Sequence, residues 1–196
     1  MNKKQLEIKL SKLTPLSSLN VNLEQYQLEG TLAAELLWNA FSRGDIEGKT
    51  VIDFGCGNGI LGVGALLLGA KKVLFLDIDE KALAVSKKNS EGKGIYLHLD
   101  ISLFKEKVDT VLMNPPFGVQ KRKADKVFLE QAMKFSDVIY SIHKIESKTF
   151  IQKLATEHHF FVQEILERDF LIKKTYSFHK KKTYPVPIGI WSIRKA

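Results

Sequence analysis

Short, almost wholly apolar runs alternate along this chain with longer segments in which apolar residues recur every three or four positions, and that change of period predicts its elements. Val51-Ile52-Asp53-Phe54, Val73 to Leu76, Ile95 to Leu99, Val108 to Met113 and Val138 to Ile142 read as strands. Between and before them, Leu32, Leu36, Leu37, Ala40 and Phe41 fall at helical spacing and stop at Gly44. Ile60 to Leu68, closed by Gly69, Glu80 to Glu91, Phe128 to Phe135 and Lys148 to Glu157 also read as helices. Strands separated by helices imply parallel pairing through right-handed crossovers, with both sheet faces covered. Phe160 to Glu167 and Ile188 to Ile193 add two strands, able to form an antiparallel hairpin across a long basic loop. The expectation is therefore an α/β fold: a doubly wound, mostly parallel seven-stranded sheet with an antiparallel C-terminal hairpin. Residues 1–196 read as a single domain and residues 1–22 as an N-terminal extension, in which Leu6, Ile8, Leu10 and Leu13 fit the helical period only in part.

Composition narrows the class. A chain of 196 residues with 44% hydrophobic content can build one full-sized core. Thirty Lys plus Arg against 22 Asp plus Glu leave a net charge of +8, with a sequence pI near 9.4, which favours a polyanionic partner. Cys56 is the single cysteine, so neither an intramolecular disulfide nor a cysteine-based zinc site can form, and a reducing, cytoplasmic setting is expected. His158-His159, with no acidic or cysteine companion, is a poor metal site, and no metal is expected. No apolar run approaches the roughly 18 residues of a membrane span, so no membrane association is expected.

Two loops carry candidate chemistry. The turn Asp53-Phe54-Gly55-Cys56-Gly57-Asn58-Gly59 joins the first core strand to its helix, where open α/β sheets bind ligands. Its G-x-G-x-G spacing differs from the G-x-G-x-x-G of a pyrophosphate binder and resembles the S-adenosylmethionine site of class I methyltransferases. Asp77, ending the second strand, is placed to accept from ribose hydroxyls, and Asp100, ending the third, from the cofactor's adenine amine. The same residues would serve a purely structural turn, with Asp77 or Asp79 capping a helix and Asp100 in a loop. Cys56 has no histidine near it in sequence and reads as a small side chain filling the turn, not as a nucleophile.

The second loop is Asn114-Pro115-Pro116-Phe117, directly after an apolar strand. The Asn114 oxygen and the Pro115 carbonyl can each accept a proton from a planar amine, which favours a pyramidal nitrogen with its lone pair aimed at an incoming methyl group. The prolines fix φ and keep those acceptors aimed, and Phe117 offers a face on which an extruded base can stack. A proline-rich strand-to-loop turn is the structural alternative.

Taken together, the residues resemble the methyltransferase-like 5 family of small-subunit ribosomal RNA adenine-N6 methyltransferases. The resemblance rests on Leu23-Glu24-Gln25-Tyr26, the Asp53 to Gly59 turn, Asp77-Ile78-Asp79-Glu80, Met113-Asn114-Pro115-Pro116-Phe117-Gly118, Tyr140-Ser141-Ile142-His143-Lys144 and Phe178-His179-Lys180-Lys181-Lys182. It implies a Rossmann-like class I fold and S-adenosyl-L-methionine held by Gln25, Tyr26, Leu28, Asp53, Gly55, Gly57, Asn58, Ile60, Asp77, Asp100 and Ile101. Base handling falls to Asn114, Pro115, Pro116 and Phe117. Leu28 departs from the family's usual Tyr-x-Thr-x-Pro, which leaves packing or backbone contact in place of a hydroxyl. Lys121-Arg122-Lys123 and His179-Lys180-Lys181-Lys182 would flank the active-site mouth and hold RNA phosphates around an unpaired, splayed adenosine. For His143 the readings are RNA contact or internal packing. The resemblance also implies a small zinc-binding partner of the Trm112 type, docked along the edge strand Ile95 to Leu99.

The function expected is S-adenosylmethionine-dependent N6-methylation of one adenosine in small-subunit rRNA. The same Asn-Pro-Pro chemistry would serve a glutamine-amide protein methyltransferase, or a DNA adenine methyltransferase if a target-recognition domain were present. A non-catalytic RNA-binding ribosome-assembly factor on this fold is the alternative from another class.

Overall fold

The computed structural model describes residues 1–17, 28–116, 124–173 and 183–196. Seven strands form one sheet, β1 (Thr50–Phe54), β2 (Lys72–Asp77), β3 (Ile95–His98), β4 (Thr110–Met113), β5 (Val138–Lys144), β6 (Phe160–Lys173) and β7 (Thr183–Lys195), in the order β3-β2-β1-β4-β5-β7-β6. The first five are parallel, and β7 runs antiparallel to both β5 and β6. The expected doubly wound sheet with its C-terminal hairpin is thus present, and the strand order reverses between β1 and β4.

Side chains alternate between two cores along each strand, as the period of two requires. Val51, Val73, Phe75, Leu112, Tyr140, Ile142 and Ile190 face a core that also contains Leu36 and Leu37. Ile52, Phe54, Leu74, Val111, Met113, Ile139 and Trp191 face a second core with Leu129, Ile151 and Leu154. Because both faces are covered, the parallel strands read as continuous apolar runs, not as alternation. The helices are α1 (Lys3–Leu10), α2 (Gly30–Ser42), α3 (Ile60–Leu67), α4 (Glu80–Asn89), α5 (Ala124–Phe135) and α6 (Lys148–Glu157).

Beyond shifts of a few residues at the starts of β4 and α5, the N-terminal helix and the hairpin differ from the sequence expectation. α1 opens with a capping box between Asn2 and Gln5, and its Leu6 and Leu10 are fully buried in the first core. The two buried positions are four residues apart, one face of a helix, which the surrounding lysines and the exposed Ile8 obscure in the sequence. The hairpin is longer than its apolar pattern suggests. β5 pairs with β7 only as far as Lys144↔Ile188, while β6 and β7 continue together from Asp169↔Pro187 to Lys173↔Thr183. Pro187 and Pro185 cannot donate toward a strand on the β5 side, so a two-stranded ribbon runs on alone. It extends by roughly 16 Å, five residue pairs at strand rise, past the carboxyl ends of the parallel strands.

At the opposite end of the sheet a polar knot closes the fold. Tyr140 donates to Asp45 Oδ2 at 2.6 Å, Arg194 donates to both Asp45 oxygens, and Thr110 Oγ1 donates to the Asp45 carbonyl at 2.6 Å. Arg194 Nε reaches Gln163 at 2.7 Å. Outside the sheet, Asn39 of α2 and Arg43 at its C-cap bond Glu164 of β6, and Arg168 pairs with Glu35, tying α2 to the hairpin.

Candidate active site

Strands β1 and β4 lie side by side with Phe54 opposite Met113. The two loops that leave them, the glycine turn and Asn114-Pro115-Pro116, therefore emerge at one level, at the point where the strand order reverses. Met113 is fully buried, and the residue after it carries the first unusual feature. Asn114 Oδ1 is buried and accepts no hydrogen bond from any described residue. A buried acceptor left without a donor costs free energy unless a ligand completes it.

The glycine turn is held from several sides. Gly55, Gly57 and Gly59 have φ of 65°, 55° and 81°, a region that L side chains rarely adopt. A Cβ added at Gly55 would stand 3.0 Å from the Phe128 ring of α5, whereas one at Gly57 would meet nothing within 4 Å. Gly57 therefore leaves open space beside the backbone. Cys56 N donates to Leu76 O at 3.0 Å and Gly59 N to Cys56 O at 2.7 Å. Gly57 N donates to Asp77 Oδ2 at 2.8 Å, and Asp79 N to Asp77 Oδ1 at 2.9 Å. A carboxylate oxygen can accept more than one bond, so Asp77 retains capacity for hydroxyl donors.

The acidic residues fall into different settings. Asp53 is buried beneath the turn and accepts from Gly62 N at 2.8 Å in the first turn of α3. Burial pushes its carboxyl up to about 8, against the opposing Gly62 bond and with a further push from Asp77. Burial likewise raises the Asp77 carboxyl, opposed by the Asp79 and Gly57 bonds. Asp100 caps a short 3-10 turn, Ile101–Leu103, accepting from Ser102 N at 2.9 Å and Ser102 Oγ at 2.6 Å, and Ile101 beside it is buried. Asp79 caps α4. Cys56 is buried with its Sγ 3.3 Å from Ser86 Oγ, and burial raises the thiol far above its usual range, so no thiolate is available.

Other expected site residues divide between those placed here and those outside the described residues. Ile60 begins α3 and Leu28 is buried in the first core. Gln25, Tyr26, Phe117, Lys121, Arg122, Lys123, His179, Lys180, Lys181 and Lys182 lie outside the described residues. His143 is buried on β5 with Nε2 2.6 Å from Ser141 Oγ, and burial lowers its pKa to about 3. It is a neutral packing residue against Trp191, not a surface contact for RNA. Among the described residues no three His, Cys, Asp or Glu side chains gather as metal ligands, and no helix is long and apolar enough to cross a membrane.

Sequence reasoning missed the residues that brace the turn from α4. Ser86 Oγ donates to Gly57 O at 2.8 Å. Asn89 Nδ2 donates to Asn58 O and to Thr14 O, both at 2.9 Å, and Asn89 Oδ1 accepts from Thr14 N at 2.9 Å. Asn58 Nδ2 also reaches Thr14 O, at 3.2 Å. The available signal was Ser86 sitting on the buried stripe of α4 with Ala82 and Leu83.

A reversed-order parallel sheet, a glycine turn with room beside Gly57, an acidic residue ending β2 and a partnerless Asn114 oxygen at the adjacent strand end define a class I methyltransferase using S-adenosylmethionine. That fold is shared with magnesium protoporphyrin IX methyltransferase from Synechocystis PCC 6803 with bound S-adenosylmethionine (TM-score 0.64, 16% identity, covering 100% of this chain and 98% of that one). The ribosomal protein L11 methyltransferase (PrmA) family matches residues 34–128. Over the whole chain the similarity is more particular. The crystal structure of PH1948 from Pyrococcus horikoshii, a "putative RNA methyltransferase", matches at TM-score 0.94 and 45% identity over 100% of this chain and 98% of that one. The Danio rerio protein "rRNA N(6)-adenosine-methyltransferase METTL5" is 33% identical over 96% of each chain. The chain belongs to this methyltransferase-like 5 family of rRNA N6-adenosine methyltransferases.

Proposed function

We propose that this enzyme methylates N6 of one adenosine in small-subunit ribosomal RNA, acting on a base extruded from its stack. The observation that carries the reading is the buried, unsatisfied Asn114 Oδ1 at the end of β4. An adenine amine supplies the donor that this oxygen lacks, and the Pro115 carbonyl accepts a hydrogen bond from the second N6–H. Two acceptors on one NH2 hold the nitrogen in place and favour the pyramidal geometry in which its lone pair leaves the ring plane. Such polarisation needs no strong general base, because the nitrogen becomes acidic once it carries the methyl group and its surplus proton is lost to water, and the buried His143, held neutral, is not required to take it. Phe117 stacks on the extruded base.

S-adenosylmethionine, when bound, supplies a methyl group made electrophilic by its sulfonium. The residues fit that cofactor. Gly57 leaves space for close approach, Asp77 keeps lone pairs for ribose hydroxyls, and Asp100 and Ile101 border the adenine. Gly55, Asn58 and Ile60 line the turn and Asp53 holds α3 against it, with Gln25, Tyr26 and Leu28 as the further contacts that the resemblance implies. The reading of RNA as substrate draws support from the +8 charge and from the ribbon. Lys173 and Thr183, which bracket His179 to Lys182, lie at the same end of the sheet as Asn114, beyond the carboxyl ends of the parallel strands. With Lys121, Arg122 and Lys123, these residues hold phosphates on either side of the target base. The L11-methyltransferase match spans residues 34–128, the glycine turn and the Asn-Pro-Pro loop together, and ends before the hairpin.

The edge strand β3 has no neighbour on its outer side among the described residues, and Ile95 on it is exposed. A small zinc-binding partner of the Trm112 type would add a strand there; a rise in melting temperature and co-elution on mixing would be expected. A cytoplasmic location goes with such a substrate and partner. The deciding experiment incubates the enzyme and its Asn114→Ala variant with labelled S-adenosylmethionine and small-subunit rRNA, then resolves the nucleosides. Label in N6-methyladenosine that vanishes in the variant is expected. Label in protein, or equal label with the variant, would remove the reading.

A further inference from the structure

α4 stands behind the glycine turn with two polar side chains one helical turn apart, and both reach the turn's backbone. Ser86, fully buried, gives its hydroxyl proton to Gly57 O. In a trans peptide the C=O and the following N–H point in opposite directions. Fixing Gly57 O toward α4 therefore turns the Asn58 N–H away from α4. Asn89 acts on the next peptide. Its amide grips Asn58 O, which directs the Gly59 N–H toward Cys56 O and closes the turn, a bond of 2.7 Å. The same amide takes both the N–H and the C=O of Thr14, as a neighbouring strand would. Asn89 spends two donors and an acceptor on this one junction, at the last residue of a helix where side chains are ordinarily free to meet water. Neither residue follows from the spacing of the motif.

We propose that Ser86 and Asn89 are positioning residues for the cofactor, holding the peptides of Gly57 and Asn58 in the orientation that receives S-adenosylmethionine and fastening Thr14 to the same turn. The inference rests on the assignment of that turn to the cofactor. The pair acts through backbone carbonyls and touches no reacting atom. Its loss should therefore weaken cofactor affinity and leave methyl transfer at saturation nearly unchanged.

The test measures S-adenosylmethionine and S-adenosylhomocysteine dissociation constants by calorimetry, the KM and kcat of methylation, and the melting temperature. The variants are Ser86→Ala, Asn89→Ala and Asn89→Asp, with Leu154→Ala of α6 as a matched loss of stability. Asn89→Asp keeps the shape and the Thr14 acceptor but sets a carboxylate oxygen against two carbonyls, and it serves should Asn89→Ala not fold. Expected are a rise of about tenfold in Kd and in KM for the cofactor in the α4 variants, the loss of one or two hydrogen bonds, with kcat within about twofold. Leu154→Ala should melt earlier with unchanged Kd. Unchanged Kd in α4 variants that melt earlier would make the pair merely structural and overturn the proposal, as would a fall in kcat at unchanged Kd. A wild-type enzyme that binds neither compound would instead remove the cofactor assignment, and the proposal with it.

Discussion

The two ends of the parallel strands are built to opposite specifications. At the amino ends, Asp45, Thr110, Tyr140 and Arg194 form a polar knot in which the Asp45 side chain accepts from both Tyr140 and Arg194 and its carbonyl accepts from Thr110. At the carboxyl ends, Asn114 Oδ1 is buried without a partner, and the Asp53 and Asp77 carboxyls are raised by burial. The first arrangement is complete in itself and contributes stability. The second is left incomplete among the described residues, and under the proposed function a substrate amine is the donor that completes it.

Substitution at the two ends should therefore separate activity from stability. The largest effect is expected at Asn114. Asn114→Ala should lower kcat by about a hundredfold to a thousandfold, the range for removing a group that stabilises a transition state. Its stability to urea should be unchanged or slightly raised, since an unsatisfied buried oxygen is removed. A large loss of stability in this variant would show that the oxygen is satisfied within the fold. Next comes Arg194→Met, which leaves Asp45 without its cation. A loss of about 3 kcal/mol in chemical denaturation is expected, with kcat at low temperature close to wild type. Tyr140→Phe removes one neutral donor to the same carboxylate and should cost about 1 kcal/mol, again with activity retained. If either knot variant abolished methylation while still folded, the division between the ends would fail.

The remaining effect is on stability alone and is one of pH. Asp53 titrates near 8 in the folded chain against an ordinary value of 3.8, so between those values the folded state holds more protons than the unfolded. Its contribution to stability is full below about pH 4 and declines as pH rises toward 8. His143 has the opposite sign. Its folded pKa is lowered to about 3 from 6.5, so the folded state binds fewer protons, and stability is lost as pH falls below 6.5. Denaturation midpoints measured from pH 4 to 9 should show Asp53→Asn, which keeps an acceptor for Gly62, losing the decline between about pH 4 and 8. A variant whose profile superimposes on the wild type would show that Asp53 is ionised in the fold.

Most of the architecture was legible in the chain because burial on both faces leaves a local mark. The strand cores at residues 51–54, 73–76 and 138–142 lie within observed strands, and Lys148–Glu157 is the helix expected. The outer parts of the hairpin were not legible. Residues 168–173 carry charge, and 183–187 include two prolines, yet both lie in strands because each pairs with the other in one antiparallel ladder, a long-range partnership that no local pattern announces. α5 starts at Ala124, before the first residue of its expected span. Within the site, the glycine turn and Asn114 declared themselves by composition, but Ser86 and Asn89 did not, since a serine and an asparagine on a helix have many unremarkable uses.

By itself the sequence determined the order and kind of the elements, the placement of a glycine turn after β1 and of Asn-Pro-Pro after β4, and the net positive charge. These follow from periodicity and from residue types whose backbone or side-chain chemistry is local. Only the tertiary structure decided that Asp45 meets Tyr140 and Arg194, 95 and 149 positions away, that Thr14 is fastened to the glycine turn through Asn89, and that Asn114 Oδ1 is buried without a donor among the described residues. A hydrogen bond between distant residues depends on strand order and register, which no spacing along the chain encodes. The absence of a partner is likewise a property of the space around an atom and not of its neighbours in sequence.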